Sequence, residues 1–342
     1  MDEKVDPCQN FYNFACGSFL KTAVIPDDKT SINLWTPMED KIESNGKRLL
    51  ELPINDKNDF ESDKLAKIFY KSCMDQNKLD DLGVGPVKKL ISQIGGWPVV
   101  DGDKWNGNNF NVWEQSIKIY HKGFSSNFIA KLFVDTDAKN NSYRVLTFDQ
   151  ADLGLSKEYW DKGMEEPEVK AYFKYMIDTA VLFGANEEIA RSELEEVMNF
   201  ESKLAKISAP KEERRNDTKL YNPTTLGEMS TDNGKMFLES WTTYVSDLFH
   251  FDVFFRSLVT ITESEKVIIR DPKFFEQLSS VLQTTSNRTL ANYMAWRLVK
   301  SSMKYLGKEA RSIRQKFKKV EKGVGTEKPA WKRCTQKVGF NR

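Results

Sequence analysis

Histidine is all but missing from this chain of 342 residues: His121 and His250 are the only two. A zinc site of the HExxH type needs two histidines one helical turn apart, with a glutamate beside the first as general base. Here the pair stands 129 positions apart (121 to 250), and Lys122 follows His121. That constellation is excluded, and both histidines read as ordinary scattered residues. An excess of one charge is also missing, since 51 Lys and Arg stand against 50 Asp and Glu, a formal net charge of +1. The balance exerts no global pull toward nucleic acid or an anionic membrane. No apolar run approaches the ~20 residues of a membrane span. The opening Met1-Asp2-Glu3-Lys4-Val5-Asp6-Pro7-Cys8 lacks the apolar core of a signal peptide, so read literally the chain stays in the cytosol.

What remains is the composition of a globular protein, 39% hydrophobic and 30% charged. Helical periodicity dominates. Over about 187–208, Val197, Phe200, Leu204 and Ile207 recur at 3.6-type spacing, with Glu195, Glu196, Glu201 and Lys203 assigned to other faces. The stretch 171–183 reads alike, and 290–306 carries Tyr293, Met294, Trp296, Leu298, Met303 and Leu306. Phe11, Tyr12, Phe14, Ala15 and Phe19 form an aromatic helical face near the start. Core packing is the expectation for all these stripes. Residues 127–134 break the pattern by alternation, Asp135 to Ser142 supplies turn chemistry, and 143–148 reads as a second strand. The fold class is therefore mainly α, a large multi-helix domain with a small β-hairpin near 127–149. No repeat or low-complexity linker marks a domain boundary. The basic stretch 300–322 (Lys304, Lys308, Arg311, Arg314, Lys316, Lys318, Lys319) lacks interleaved aromatics and reads as a solvated helix face, with no nucleic-acid partner expected.

Cysteine is scarce, with Cys8, Cys16, Cys73 and Cys334 the only four. If the intervening residues are helical, Cys8 and Cys16 lie roughly 12 Å apart, beyond the ~7 Å that a disulfide tolerates between Cα atoms. Each wants another partner, and four cysteines formally allow three pairings. Three N-x-S/T sequons, at Asn140, Asn216 and Asn287, sit in polar stretches suited to surface glycans. Together with the cysteines they favour an extracellular ancestry, against the literal reading of the N-terminus.

The segment Asp6-Pro7-Cys8-Gln9-Asn10-Phe11-Tyr12-Asn13-Phe14-Ala15-Cys16-Gly17-Ser18-Phe19-Leu20, followed by Val24-Ile25-Pro26-Asp27, closely resembles the opening of neprilysin and endothelin-converting-enzyme-type metallopeptidase ectodomains. Six further blocks follow in the family's order. They are Phe69-Tyr70-Lys71-Ser72-Cys73, Gly95-Gly96-Trp97-Pro98, Asp149-Gln150 with Leu153-Gly154-Leu155, Arg215-Asn216-Asp217 with Leu220-Tyr221-Asn222, Met294-Ala295-Trp296-Arg297, and Trp331-Lys332-Arg333-Cys334. The resemblance implies that residues 1–338 form the family's N-terminal, cavity-building domain, mostly helical, which restricts access to peptide-sized substrates. Zinc, its HExxH helix and the downstream glutamate ligand belong to the C-terminal part of the intact enzyme. This chain has no such residues, so no catalytic or metal residue is assigned and zinc is not expected to bind it.

The same resemblance implies a Cys73–Cys334 disulfide. It implies that Cys8 and Cys16 are unpaired here, because their family partners lie near the far C-terminus; they remain free to join a C-terminal portion or another chain. An Arg and an Asp that bind the substrate's C-terminal end in the family fall at Ser31 and Thr36. A serine hydroxyl cannot clamp a carboxylate as a guanidinium does, so recognition of a free C-terminus is not expected. Trp35 falls at a position that is aromatic in the family, where it would wall a substrate pocket or else pack in the core. Two accounts follow. In one, the chain is an incomplete gene model or short transcript of a secreted or membrane-anchored (type II) zinc endopeptidase acting on oligopeptides. In the other it is a stand-alone, non-catalytic protein that binds peptides or a partner, although half of a two-lobed enzyme would expose apolar surface.

Overall fold

The computed structural model describes residues 1–231, 241–249 and 261–339; His250 lies outside them. Among the described residues are sixteen α-helices and one four-stranded sheet. The chain divides into a terminal unit, Met1–Asp81 with Gly307–Arg342, and a central unit, Leu82–Leu306. Both divisions fall beside helical sequence rather than in a Pro- or Gly-rich linker, so composition carries no mark of them.

The central unit is built around the helix Asn287–Ser302. Ser286 caps its start, its hydroxyl accepting the Thr289 N–H at 3.1 Å. Every residue from Thr289 to Val299 is buried, because helices Gly85–Ile94, Pro98–Asp101, Val112–His121 and Glu187–Ile207 all pack on it. The expected apolar stripe is thus an apolar cylinder, as befits a helix enclosed on all sides. Helix 187–207 begins at Asn186, whose side chain accepts the Glu188 and Ile189 N–H groups. Val197, Phe200 and Leu204 are buried as their spacing requires, while Ile207 is only half-buried. Glu201 corrects the sequence reading: it is fully buried and shares the face of Val197 and Leu204.

Strands β1 (Ala130–Thr136) and β2 (Arg144–Gln150) form the expected antiparallel hairpin, with Leu132 opposite Phe148. The hairpin belongs to a larger sheet, order β1-β2-β4-β3, completed by β3 (Asn222–Thr225) and β4 (Lys266–Ile269). Strand β4 runs parallel to β2 and antiparallel to β3. Being interior, β2 is buried from Val145 to Asp149, whereas Val134 in the edge strand β1 is 55% exposed. The Gly95-Gly96-Trp97-Pro98 block turns one helix into the next. Gly96 has φ of +90°, and a Cβ there would lie 2.5 Å from the Asp101 carboxylate that accepts the Trp97 N–H. Trp97 is then buried edge-on against Phe183.

The sheet is tied to its neighbours by Asp137, which is buried and accepts from Lys266 Nζ at 2.7 Å, the Tyr221 hydroxyl at 3.0 Å and the Lys139 N–H at 2.8 Å. The Lys266 ammonium, foremost, holds the carboxyl down to about 2. A depressed folded pKa stabilises the fold above the unfolded value, ~3.9, and that contribution disappears as pH falls through about 2. Asp137→Asn should therefore be less stable than wild type at pH 6, with the gap closing below pH ~4. Urea titrations of both proteins between pH 6 and pH 2 measure this; a gap independent of pH would refute it.

Candidate functional site

In the terminal unit, helix Thr36–Leu50 is capped by a reciprocal turn. The Asn33 side chain accepts the Trp35 and Thr36 N–H groups, and the Thr36 hydroxyl accepts the Asn33 N–H at 2.9 Å. The helix then lies with its polar side inward: Thr36, Glu43, Gly46 and Leu50 are its buried residues. Glu43 accepts from Gln336, and Asp40 holds Lys29 at 2.9 Å and Lys332 at 3.0 Å. Those two ammonium groups, Lys29 first, draw the Asp40 carboxyl below its ordinary range.

The same helix also exposes large apolar side chains, among the exposed Glu39, Lys41, Ser44, Asn45 and Arg48. Met38, Ile42 and Leu49 are exposed at helical spacing, continued by Leu52 and preceded by Trp35, itself 65% exposed. Helix Glu61–Met74 exposes Leu65, Ile68 and Phe69 in the same way, and helix Phe11–Thr22 exposes Phe11, Tyr12 and Leu20. This corrects two expectations. Phe11 and Tyr12 are surface residues, not core, and Trp35 does not pack in a core. Fully burying such side chains stabilises by about 1.5–3 kcal/mol each, and single exposed apolar residues are ordinary, but three helices of one unit that each expose several large ones point to an interaction surface.

The buried side of this unit is small. Leu50, Tyr70 and Cys334 form one buried cluster, with Ala66, Cys73, Met74 and Val338 partly buried around them, and Ala310, Phe317 and Val324 are also buried in this unit. Cys73 and Cys334 are joined by a disulfide that links helix 61–74 to helix Ala330–Val338. Tyr70 donates its hydroxyl to Glu51 at 3.2 Å, and burial, then the Glu51 charge, pushes its pKa up to about 12. Cys8 is an exposed free thiol and Cys16 a half-buried one. Ser31 is exposed, and Thr36 is consumed by the cap, so neither offers a charge to a substrate carboxylate.

Asn140, Asn216 and Asn287 are all exposed. Asn140 sits in the β1–β2 connection and Asn287 opens its helix. Of the basic stretch 300–322, part is not solvated. Lys300 donates to the Gly154 carbonyl, and Arg311 is buried against Glu327. His121 bonds the Asp247 carbonyl at 3.0 Å, and since a carbonyl only accepts, its Nε2 carries the proton. No group of three or more His, Cys, Asp or Glu able to hold a metal exists among the described residues. With two histidines 129 positions apart (121 to 250), no HExxH pair is present in this chain.

The polar core of the central unit gives most of the remaining sequence blocks a physical role. Glu201 accepts the Gly154 N–H at 2.5 Å, the Leu155 N–H at 2.9 Å and the Tyr172 hydroxyl at 3.0 Å. Trp296 Nε1 donates to the Tyr172 oxygen at 2.7 Å. Arg297, also buried, donates to the Tyr293 oxygen and the Asp152 carbonyl. A Cβ on Gly154 would overlap the Tyr172 hydroxyl and lie 2.9 Å from Glu201. Asp149 is bound by Arg214 at 2.7 and 2.6 Å, and Gln150 exchanges two hydrogen bonds with the Ala209 backbone. These residues hold a scaffold together.

Comparison with known proteins agrees with the blocks. Residues 7–341 match the N-terminal model of peptidase family M13. The chain is 35% identical over 337 residues to neprilysin-2 of Drosophila melanogaster, covering 98% of this chain and 42% of that protein. It is 30% identical over 351 residues to human endothelin-converting enzyme 1, covering all of this chain and 43% of the relative. It thus spans somewhat less than half the length of the curated relatives it matches. Among solved structures, the zinc metalloprotease Zmp1 of Mycobacterium tuberculosis, in complex with an inhibitor, shares the fold. Its TM-score is 0.78 at 17% identity, over 99% of this chain and 49% of that one. The chain belongs to peptidase family M13, of which it spans the N-terminal region.

Proposed function

We propose that this chain is the cavity-forming part of a neprilysin-like zinc endopeptidase that acts on oligopeptides. A zinc-binding portion, in the same longer polypeptide or in another, covers the apolar face of the terminal unit. Zinc and its hydrolytic water would come from that portion, and this part would limit substrates to peptide size. The observation that supports the reading is helix 36–50, which buries its polar side and turns Met38, Ile42 and Leu49 outward. Trp35, at the head of that stripe, would meet either the other portion or a substrate side chain. Cys8 and Cys16 would pair across the same junction. The exposed Asn140, Asn216 and Asn287 would carry glycans in a secreted or membrane-anchored protein; no helix of the described residues is long and apolar enough to cross a membrane.

The test is to express residues 1–342 alone and together with the HExxH-bearing half of a family M13 enzyme. Alone, the chain should self-associate, bind a hydrophobic dye and leave peptides intact with zinc present. Together, the halves should co-purify, lose dye binding and hydrolyse an oligopeptide. Ile42→Glu with Leu49→Glu should change stability within about 0.5 kcal/mol, as surface substitutions do, yet abolish co-purification. A monodisperse, dye-silent chain that ignores the other half would instead favour a stand-alone peptide- or partner-binding protein.

A further inference from the structure

Helix Lys308–Lys322 places Arg311, Arg314, Lys318 and Lys322 on one side, at spacings of three, four and four residues. The following segment returns Lys328 and Arg333 to the same side. Lys318 has Arg314, Lys328 and Lys322 as charged neighbours, and Arg333 has Arg311 and Arg314. Six cations therefore gather where the opposing carboxylates are Glu321 and Glu327. Glu327 is committed, bonded to both Arg311 and Arg333, while Glu321 lies 3.9 Å from Lys322. Arg314 and Lys318 have no carboxylate within ion-pair reach among the described residues. Burial and this like-charge surrounding together push the partly buried Lys318 ammonium below its usual range.

Cations gathered in excess on one side repel one another, and natural surfaces ordinarily intersperse acids to avoid it. The array runs from Arg314 to Lys322 along roughly 12 Å of helix, too long for one small oxyanion and suited to a linear polyanion. It lacks aromatic side chains on which bases would stack. The disulfide Cys73–Cys334 closes this same unit, and disulfides persist where sulfated polysaccharides, rather than nucleic acids, are the abundant polyanions.

We propose that Arg314, Lys318, Lys322 and Lys328 form a docking surface for a sulfated polysaccharide. Each contact is a charge-assisted pair with a sulfate oxygen, and binding releases counterions, so affinity falls with salt.

The full chain is tested by biolayer interferometry on immobilised heparin oligosaccharide, with fully desulfated heparin, single-stranded DNA and polyglutamate as competitors. Expected results are saturable heparin binding at physiological salt, a steep log–log decline with salt, and competition by none of the three at equal charge concentration. R314Q/K318Q/K322Q/K328Q should weaken binding at least tenfold. K41Q/K57Q/K71Q/K316Q, which removes the same charge from exposed positions elsewhere in the unit, should change it less than threefold. Should the first quadruple variant not fold, K322Q, at an exposed position, and K328Q, at a half-buried one, should each singly lose threefold or more. Absent heparin binding, equal losses in both quadruple variants, or equal binding of DNA or polyglutamate overturns the proposal.

Discussion

Replacing Cys73 and Cys334 together by serine should lower the stability of the terminal unit by roughly 4–5 kcal/mol, the upper part of the range for native disulfides. The bridge joins residues 261 apart in sequence, so in the unfolded chain it closes a loop that contains the whole central unit. The entropic gain grows with loop length, slowly. Little packing surrounds the bridge itself to offset its loss. The cluster at the bridge is Leu50, Tyr70 and Cys334 with four half-buried neighbours, and the polar clamps around it (Asp40 with Lys29 and Lys332, Glu327 with Arg311 and Arg333) are partly exposed pairs of modest worth. Hydrogen exchange resolved by segment measures the effect. Protection should fall in helices 61–74 and 330–338 and stay unchanged in helices 187–207 and 287–302. Wild type treated with a reductant should reproduce the pattern. Unchanged protection at 330–338 would show that the bridge only decorates a unit stable without it.

Glu201→Ala should destabilise the central unit by about 3–5 kcal/mol, the cost of breaking a buried charged network from one side. The carboxylate satisfies two backbone N–H groups and a tyrosine hydroxyl at once, and alanine would strand all three where water does not reach. Glu201→Gln keeps one acceptor oxygen and should cost less, roughly 1–2 kcal/mol. Gly154→Ala attacks the same junction sterically, because its methyl would occupy the space of the Tyr172 hydroxyl. Urea unfolding monitored by tryptophan fluorescence ranks the three variants. If Glu201→Ala unfolds at the wild-type midpoint, the network is incidental to stability. A glutamine variant as damaging as alanine would mean the charge itself, facing Arg297, matters more than the hydrogen bonds.

Glu201 also shows where reading a sequence by polarity fails. Its position relative to Val197 and Leu204 puts it on the buried face, and only its charge argued for another. The signal that could have exposed it lay in two distant blocks, Leu153-Gly154-Leu155 and Trp296-Arg297, which supply its donors and its neighbours. The short strands β3 and β4 were invisible for a related reason. Four residues such as Asn222-Pro223-Thr224-Thr225 have too little pattern to call a strand, and they become one only because β4 pairs with both β3 and the buried β2.

By itself the sequence determined the helices whose apolar periodicity is long and capped, the hairpin whose alternation is bounded by turn residues, and membership of family M13, carried by ordered motifs. These are local signals or strings, and both survive without knowing what touches what. The tertiary structure decided the rest. It showed that Phe11, Tyr12, Trp35, Met38 and Ile42 face outward, because hydrophobicity demands a partner without saying whether that partner lies in the same unit. It divided the chain at residues 81 and 306, because a unit assembled from both ends needs no linker composition. It turned a basic helix into a buried Arg311–Glu327 pair on one hand and a face where cations outnumber acids on the other, because charge along a chain is one-dimensional, whereas repulsion and pairing act across space.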